Sequence, residues 1–264
     1  MLMRERVELR TPSEIDAMAA AGSVVAECLR RCREVAAAEL AGGITPRLLD
    51  DVAAQVISDR GAESCYIGYH PQWAPSPYPA VTCISINDVV VHAIPNEVRL
   101  VPGDLVSVDI AVLVDGWAAD AAISFHVGDG DPAEIEMIAA AGRSLDAGIE
   151  NMRRGLKLGD VSHAIGTTAK AGGYGLLADH GGHGIGRSMH AAPHVANEGR
   201  PHRGLPLKTG LVLALEPMLQ LGGRDGYRHL EDGWGIATAD GSRACHVEHT
   251  VAVTDDGPRI LTVE

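Results

Sequence analysis

The sequence predicts an α+β protein made of two similar halves. Residues 11–14 and residues 131–134 each combine an N-cap residue, a proline and an acidic residue in the order that starts a helix. Each start is followed by two segments with helical periodicity and then by apolar segments typical of strands. Because the order of helix, helix and strands occurs twice, we interpret the chain as a duplicated unit with a site between its halves.

Charge and cysteine content narrow the class of protein. The 264 residues include 35 acidic and 22 basic ones, and this acidic excess argues against binding nucleic acid through its phosphates. The sequence has no apolar run of membrane-spanning length and no signal-peptide pattern, and its five cysteines indicate reduced thiols. We therefore expect a cytoplasmic monomer that binds neither nucleic acid nor membrane. We expect one domain over residues 1–264, with halves at residues 11–130 and 131–264.

The first half opens with two predicted helices and an irregular segment. One helix covers residues 12–38 and is ended by the glycines at 42–43, and the next opens at residues 45–46 and is closed by Gly61. Residues 65–78 then combine prolines with ring-bearing side chains, a composition that predicts a structured loop lining a pocket.

A central hairpin places two carboxylates side by side. The dipeptide at residues 115–116, Asp-Gly, suits a two-residue turn, which sets Ala111 opposite Asp120 and puts Asp109 diagonally across on the same face. Like charges so placed are destabilising, and their burial without a partner costs several kcal/mol. We therefore expect a divalent metal between Asp109 and Asp120, the alternative being that one of them is a solvated strand end.

The second half is predicted to contain two more helices and further strands. One helix covers residues 132 to about 153, and another, capped by Gly159 and Asp160, covers residues 161 to about 171. The remaining predicted strands of both halves cover residues 80–86, 89–95, 210–216 and 244–253.

Residues 179–194 hold four histidines among glycines, a pattern that predicts a metal ligand. The candidates are His180, His183, His190 and His194, and the glycines would let the backbone approach a ligand or adopt positive φ. The alternative is a flexible surface loop. Phosphate binding is disfavoured because the glycine spacing does not match a dinucleotide fingerprint.

Two further carboxylates, Glu216 and Glu248, lie in apolar strand segments. Glu216 ends a buried run before a proline, and Glu248 shares a strand face with His246 and Thr250, unless that strand is an edge strand with Glu248 facing water. Four carboxylates would be neutralised by two divalent cations, and an oxygen-rich site with one imidazole suits manganese, ferrous iron or cobalt and not a structural zinc. The residues alone thus predict a dinuclear hydrolase of unknown substrate.

Four motifs together resemble the type I methionine aminopeptidases, which have the pita-bread fold. They are residues 83–88 with 90–95, residues 182–186, residues 216–218 and residues 247–250, and the resemblance extends over nearly the whole chain. It implies two antiparallel, helix-covered, pseudo-symmetric halves. It also implies two divalent ions per chain, Co, Mn, Fe or Zn, held by Asp109, Asp120, His183, Glu216 and Glu248.

The same resemblance implies roles for other residues. His92 corresponds to the histidine near the substrate amine, His190 to the one that steadies the scissile carbonyl oxygen, and Glu216 to the general base that transfers the proton of water. The positions that match the methionine pocket are Tyr69, Tyr78, Cys83, Met189 and Trp234, where the alternative for Tyr69 and Tyr78 is plain core packing.

The activity that follows is removal of N-terminal methionine from nascent proteins and peptides whose second residue is small. The partners would be nascent polypeptide N-termini, with a transient ribosome contact allowed. The alternatives are a related X-Pro aminopeptidase or prolidase, which the segment 83–95 argues against, and a non-catalytic binding module on the same fold. A binding module should have lost metal ligands, and this sequence retains all five.

Overall fold

The computed structural model describes residues 7–38 and 43–264. Within these residues the helices are α1 (Pro12–Ala38), α2 (Pro46–Asp59), α3 (Pro132–Glu150) and α4 (Leu158–Ala171). The strands are β1 (Glu63–Ser64), β2 (Cys83–Ile86), β3 (Val89–Val91), β4 (Leu105–Val114), β5 (Trp117–His126), β6 (Gly175–Leu176), β7 (Gly181–Gly184), β8 (Ala191–Ala196), β9 (Val212–Leu215), β10 (Met218–Gln220), β11 (Tyr227–His229), β12 (Ile236–Thr238), β13 (Ala244–His246), β14 (His249–Thr254) and β15 (Gly257–Ile260). The α+β prediction is confirmed.

The first half is a sheet covered by α1 and α2. This sheet has four strands, and β4 is its central strand, because β1, β2 and β5 all pair with it. The hairpin of β4 and β5 has the predicted register, with Ala111 opposite Asp120 and Asp109 opposite Ala122. One face of this sheet packs on the apolar sides of α1 and α2, and the opposite face carries the two aspartates.

The second half repeats this arrangement with a five-stranded sheet of order β15-β14-β9-β7-β8. Apolar residues of α3 and α4 pack against β8, β9 and β14. Glycines in β7 are required by strand packing, because a Cβ at Gly182 would overlap the carbonyl oxygen of Ala214 and a Cβ at Gly184 that of Ala192. These two glycines therefore allow neighbouring backbone to pack closely against β7. We had expected the glycines to let the backbone approach a ligand or adopt a positive φ.

Backbone contacts join the two halves beside the aspartates. Glu248 and Ala122 exchange backbone hydrogen bonds of 3.0 and 3.4 Å across the halves. The Thr250 hydroxyl accepts from the Asp120 N–H at 2.9 Å and donates to the Asp120 carbonyl at 2.8 Å. The hairpin of the first half is thereby fixed against the strands of the second.

Most predicted helix boundaries are close to those observed. Thr11 and Glu14 form the expected reciprocal cap of α1, which ends at Ala38, while Gly42 lies outside the described residues. The predicted start of α4 was wrong: the helix begins at Leu158, and Asp160 sits in its first turn, where the carboxylate accepts from the Lys157 N–H. The helix α3 ends three residues before the predicted residue 153.

The predicted strands were too long in several places. Residues 80–82 are not in a strand, because the N–H groups of Val81 and Thr82 bond to Asp50 of α2 instead of to a neighbouring strand. The run at 244–253 is interrupted at residues 247–248, where the chain crosses from the sheet of β13 to that of β14. Among the described residues, no helix has the length and apolarity needed to cross a membrane.

Asp50 anchors the entry to β2 and yields a stability prediction. Its buried carboxylate accepts from both N–H groups and from the Thr82 hydroxyl at 2.7 to 3.0 Å, and Arg47 pairs with it at 3.1 Å. Replacing Asp50 by Ala leaves these donors without an acceptor, so we expect the free energy of unfolding to fall by about 2–4 kcal/mol. Urea denaturation measures the change.

The matched control is Asp51→Ala, since Asp51 is the next residue of α2 and is exposed. We expect its change to stay within about 0.5 kcal/mol. Equal, small changes for both variants would contradict the anchoring role of Asp50.

Candidate metal centre and active site

Four carboxylates from both halves meet in one buried cluster. Asp109 lies on β4 and Asp120 on β5, Glu216 directly follows β9, and Glu248 lies in the break between β13 and β14. Asp109, Asp120 and Glu248 are 7%, 3% and 2% exposed, so water solvates their charges poorly. The fold thus brings together all four acidic residues that the sequence singled out.

Two histidines complete the cluster. His183 of β7 places its Nε2 3.6 Å from Glu216 Oε1, and His246 of β13 places its Nε2 3.7 Å from Glu216 Oε2. The His183 Nδ1 donates to the Gly184 carbonyl at 3.1 Å, because a carbonyl only accepts, and this leaves Nε2 free to bind a cation. His183 is the only one of the five predicted ligands that is not a carboxylate.

The cluster fits a divalent metal. Ligand atoms of Asp120, His183 and Glu248 lie within 4.8 Å of one another, and so do those of Glu216, His246 and Glu248. Within residues 7–38 and 43–264, the basic groups paired with these four carboxylates are histidines, with no lysine or arginine. Buried carboxylates without a permanent cation repel one another, and one or more divalent ions would remove that repulsion.

Burial and mutual repulsion set the protonation of the cluster. Burial raises the pKa of Asp109 to about 6, and burial together with the charge of Asp109 raises the pKa of Asp120 well above its usual range. The pKa values of Glu216 and Glu248 are raised well above the usual range, first by burial and then by the neighbouring aspartates. The opposite holds for the imidazole of His183, whose pKa burial lowers to about 3, so it is neutral and able to bind a metal.

An apolar, aromatic cavity of about 300 Å³ opens on the cluster. Trp234 is at its centre, with ring centroids 4.9 Å from Tyr78 and 6.5 Å from Tyr69. Cys83 and Met189 belong to the same buried cluster, so the structure brings together all five residues predicted for the methionine pocket. Tyr78 also bonds the carbonyls of Thr82 and Ala93, so part of its role is to hold the wall of the cavity.

The predicted histidines His92 and His190 line the same cavity. The His190 ring lies 4.3 Å from that of His183, centroid to centroid, and its Nδ1 is 3.1 Å from the Tyr69 hydroxyl. His92 adopts a φ of 62° at the end of β3, and its buried Nδ1 has no hydrogen-bond partner among the described residues. His180 and His194 were candidate ligands by their sequence pattern, but the resemblance gives them no role and we expected structural or surface residues; both border this cavity.

Comparison with known proteins identifies the family. The model of metallopeptidase family M24 matches residues 16–255. Methionine aminopeptidase 1 of Mycobacterium tuberculosis is 50% identical over 267 aligned residues, which cover 98% of this chain and 96% of that protein. The chain belongs to the methionine aminopeptidases of metallopeptidase family M24. This membership agrees with the resemblance found in the sequence and implies the use of a divalent metal.

Solved structures confirm the pita-bread fold. The crystal structure of a methionine aminopeptidase from Thermotoga maritima matches with a TM-score of 0.90 at 35% identity, covering 99% of this chain and 100% of that one. A prolidase from Pyrococcus furiosus matches with a TM-score of 0.74 at 19% identity, covering 97% of this chain and 65% of that one. At that identity the prolidase shares the fold alone, so the comparisons favour the methionine aminopeptidases over the X-Pro peptidases.

Sequence reasoning missed two residues of the cluster, Tyr66 and His246. The Tyr66 hydroxyl donates to Asp109 Oδ1 at 2.5 Å and lies 3.3 Å from Asp120 Oδ1. No periodic signal marks it, because it lies in the irregular segment after β1. His246 did have a signal, since strand alternation places it on the same face as Glu248.

Tyr66 provides a test of the metal centre. Tyr66→Phe removes a hydroxyl that orients two expected ligand carboxylates, so we expect the Mn²⁺ affinity of the protein to fall by about 10- to 100-fold. Isothermal titration calorimetry on metal-stripped protein measures it. Tyr78→Phe is the matched control for metal affinity, because that hydroxyl bonds backbone carbonyls, and an equal loss in both variants would argue against a specific role of Tyr66.

Metal affinity should also depend on pH. A metal binds the deprotonated carboxylates, and the raised pKa values mean that some of them hold protons near neutrality, whereas His183 is already neutral above about pH 3. Binding should therefore release protons, and the Mn²⁺ dissociation constant should fall as the pH rises from about 5.5 to 7.5. Calorimetry in buffers of different ionisation enthalpy counts the protons, and a pH-independent dissociation constant would contradict this protonation scheme.

Proposed function

We propose that this protein is a methionyl aminopeptidase, a metal-dependent exopeptidase that removes N-terminal methionine when the second residue is small. The observation that carries the proposal is a cluster of four largely buried carboxylates and a free imidazole nitrogen in an aromatic cavity. Full-length relatives named as methionine aminopeptidases support it. The two halves act together as one catalytic domain, since each contributes ligands.

In this proposal the cluster would hold two divalent ions. Their ligands are Asp109, Asp120, His183, Glu216 and Glu248. When bound, such ions supply a Lewis-acid centre that activates water and polarises the scissile carbonyl. Cobalt, manganese, iron or zinc would each suit carboxylate oxygens joined by imidazole. Glu248 belongs to both groups of donor atoms and would help to hold either ion.

The chain's own residues position the substrate and move protons. Glu216 accepts a proton on a carboxylate oxygen and passes it to the departing amine nitrogen, a role supported by its raised pKa, which favours proton acceptance. His190 is held by Tyr69 and donates towards the scissile carbonyl oxygen. His92 faces the substrate amine and the peptide nitrogen, and its unpartnered Nδ1 leaves capacity for such a contact.

The aromatic cavity selects the first residue of the substrate. Trp234, Tyr78 and Tyr69 present ring faces and edges, and Cys83 and Met189 add polarisable sulfur, an environment that suits a thioether. Crowding beside the metals limits the second residue to a small one. The substrates are the N-termini of nascent polypeptides, met in the cytoplasm by a monomeric enzyme in transient contact with the ribosome.

Peptide substrates test the reaction class. We expect hydrolysis of Met-Ala-Ser and no hydrolysis of Gly-Pro or Ala-Pro-Ala, since the aromatic and sulfur-bearing side chains of the cavity suit a methionine as the first residue. Liquid chromatography of the released amino acids after incubation with Mn²⁺-loaded or Co²⁺-loaded protein measures it. Activity on the proline peptides alone would favour the X-Pro peptidase, and a protein that binds no metal and cleaves nothing would favour a binding module.

Glu216→Gln tests the proton-transfer role. The amide cannot accept the proton, so we expect kcat/KM on Met-Ala-Ser to fall by about 10²- to 10⁴-fold. The control is Glu198→Gln, because the Glu198 side chain is exposed and pairs with Lys170 and not with a residue of the cluster. A Glu216 variant that keeps full activity would remove this residue from the mechanism.

A further inference from the structure

His246 lies inside the carboxylate cluster, although it is not among the five predicted ligands. It is 2% exposed, and its Nε2 lies 3.7 Å from Glu216 Oε2 and 3.6 Å from Glu248 Oε2. This Nε2 and Glu248 Oε1 are both buried and have no hydrogen-bond partner among the residues that the structure describes. Buried polar atoms without partners are costly, and a cation bound between these side chains would satisfy both atoms.

The spacing of these atoms fits shared coordination better than hydrogen bonding. An N–H···O hydrogen bond has a donor–acceptor distance of about 2.7–3.2 Å, and both separations at His246 exceed it. Two ligand atoms that each lie about 2.1 Å from one ion are about 3.0–3.4 Å apart at right-angle or tetrahedral geometry, close to the observed values. Glu216 shows the same spacing on its other oxygen, which lies 3.6 Å from the Nε2 of His183.

We propose that His246 is a further metal ligand, and that Glu216, His246 and Glu248 form one metal position of the site. Their donor atoms lie within 4.8 Å of one another, as do those of Asp120, His183 and Glu248, so Glu248 borders two adjacent positions. Each position then has an imidazole, one from β7 and one from β13. This inference rests on the proposed metal-dependent function and adds a ligand to it.

A second imidazole changes which metals the site prefers. Carboxylate oxygens suit manganese, whereas imidazole nitrogen favours the later divalent ions, cobalt among them. His246→Gln keeps a polar side chain of similar reach but replaces the imidazole by an amide. We therefore expect this variant to bind Co²⁺ at least about tenfold more weakly, with a smaller loss for Mn²⁺, so that the ratio of the two dissociation constants changes.

The experiment counts ligating imidazoles directly. Metal-stripped protein is loaded with two equivalents of Co²⁺, and proton NMR records the hyperfine-shifted, solvent-exchangeable N–H signals, one for each imidazole bound to cobalt. The wild type should give two such signals. His246→Gln should lose one and His183→Gln the other, while calorimetry with Co²⁺ and with Mn²⁺ gives the affinities.

His249→Gln is the matched control. This histidine lies three residues along the same segment, and its Nδ1 bonds the Thr262 hydroxyl at 2.8 Å, outside the carboxylate cluster. The variant should keep both signals and the wild-type affinity. One signal in the wild type, unchanged in His246→Gln, would overturn the role of His246 and leave the proposed function standing. A wild type that binds no Co²⁺ would overturn both.

Discussion

Mutual repulsion among four buried carboxylates is the constraint on which the rest of this structure depends. Asp109 and Asp120 come from one hairpin of the first half, and Glu216 and Glu248 come from the second half. Burial raises the pKa values of all four, and like charge raises those of Asp120, Glu216 and Glu248 as well, so the protein alone stabilises this arrangement poorly. The donors that do reach the cluster are few, and the phenol of Tyr66 is the closest of them. A site of this kind is stable with its charges intact only when cations occupy it.

Backbone contacts hold the two halves together next to the four carboxylates that repel one another. Backbone hydrogen bonds between Ala122 and Glu248, and the two contacts of Thr250 with the Asp120 backbone, fix the aspartate hairpin against the glutamate strands. Two helix-covered sheets supply the rigid support behind them, because each buries one face on its own pair of helices. The duplicated form is thus functional, since each half contributes ligands that the other lacks.

The cavity is lined by the carboxylate cluster on one side and by aromatic side chains on the other. Trp234 contacts Tyr78 and Tyr69, and its Nε1 donates to the Ser76 carbonyl at 3.2 Å, which ties the wall to the irregular segment after β1. Trp73 of that segment stacks on His92 at the rim and is 59% exposed. One end of the cavity therefore suits an apolar side chain, and the other suits the polar groups of a peptide bond. An aminopeptidase that removes methionine must bind both next to each other.

The sequence by itself determined the elements whose signals are local. The Asp-Gly turn fixed the hairpin register, and therefore the placement of Asp109 beside Asp120, because a two-residue turn leaves one alignment of the strands. The capping residues Thr11 and Asp131 likewise predicted the starts of α1 and α3 correctly. Strand ends, the function of the β7 glycines, and the position of Tyr66 were decided by the tertiary structure alone. These features depend on contacts between segments far apart in the chain, such as that of Tyr66 with Asp109, which lies 43 positions later. Periodicity carries no information about such contacts.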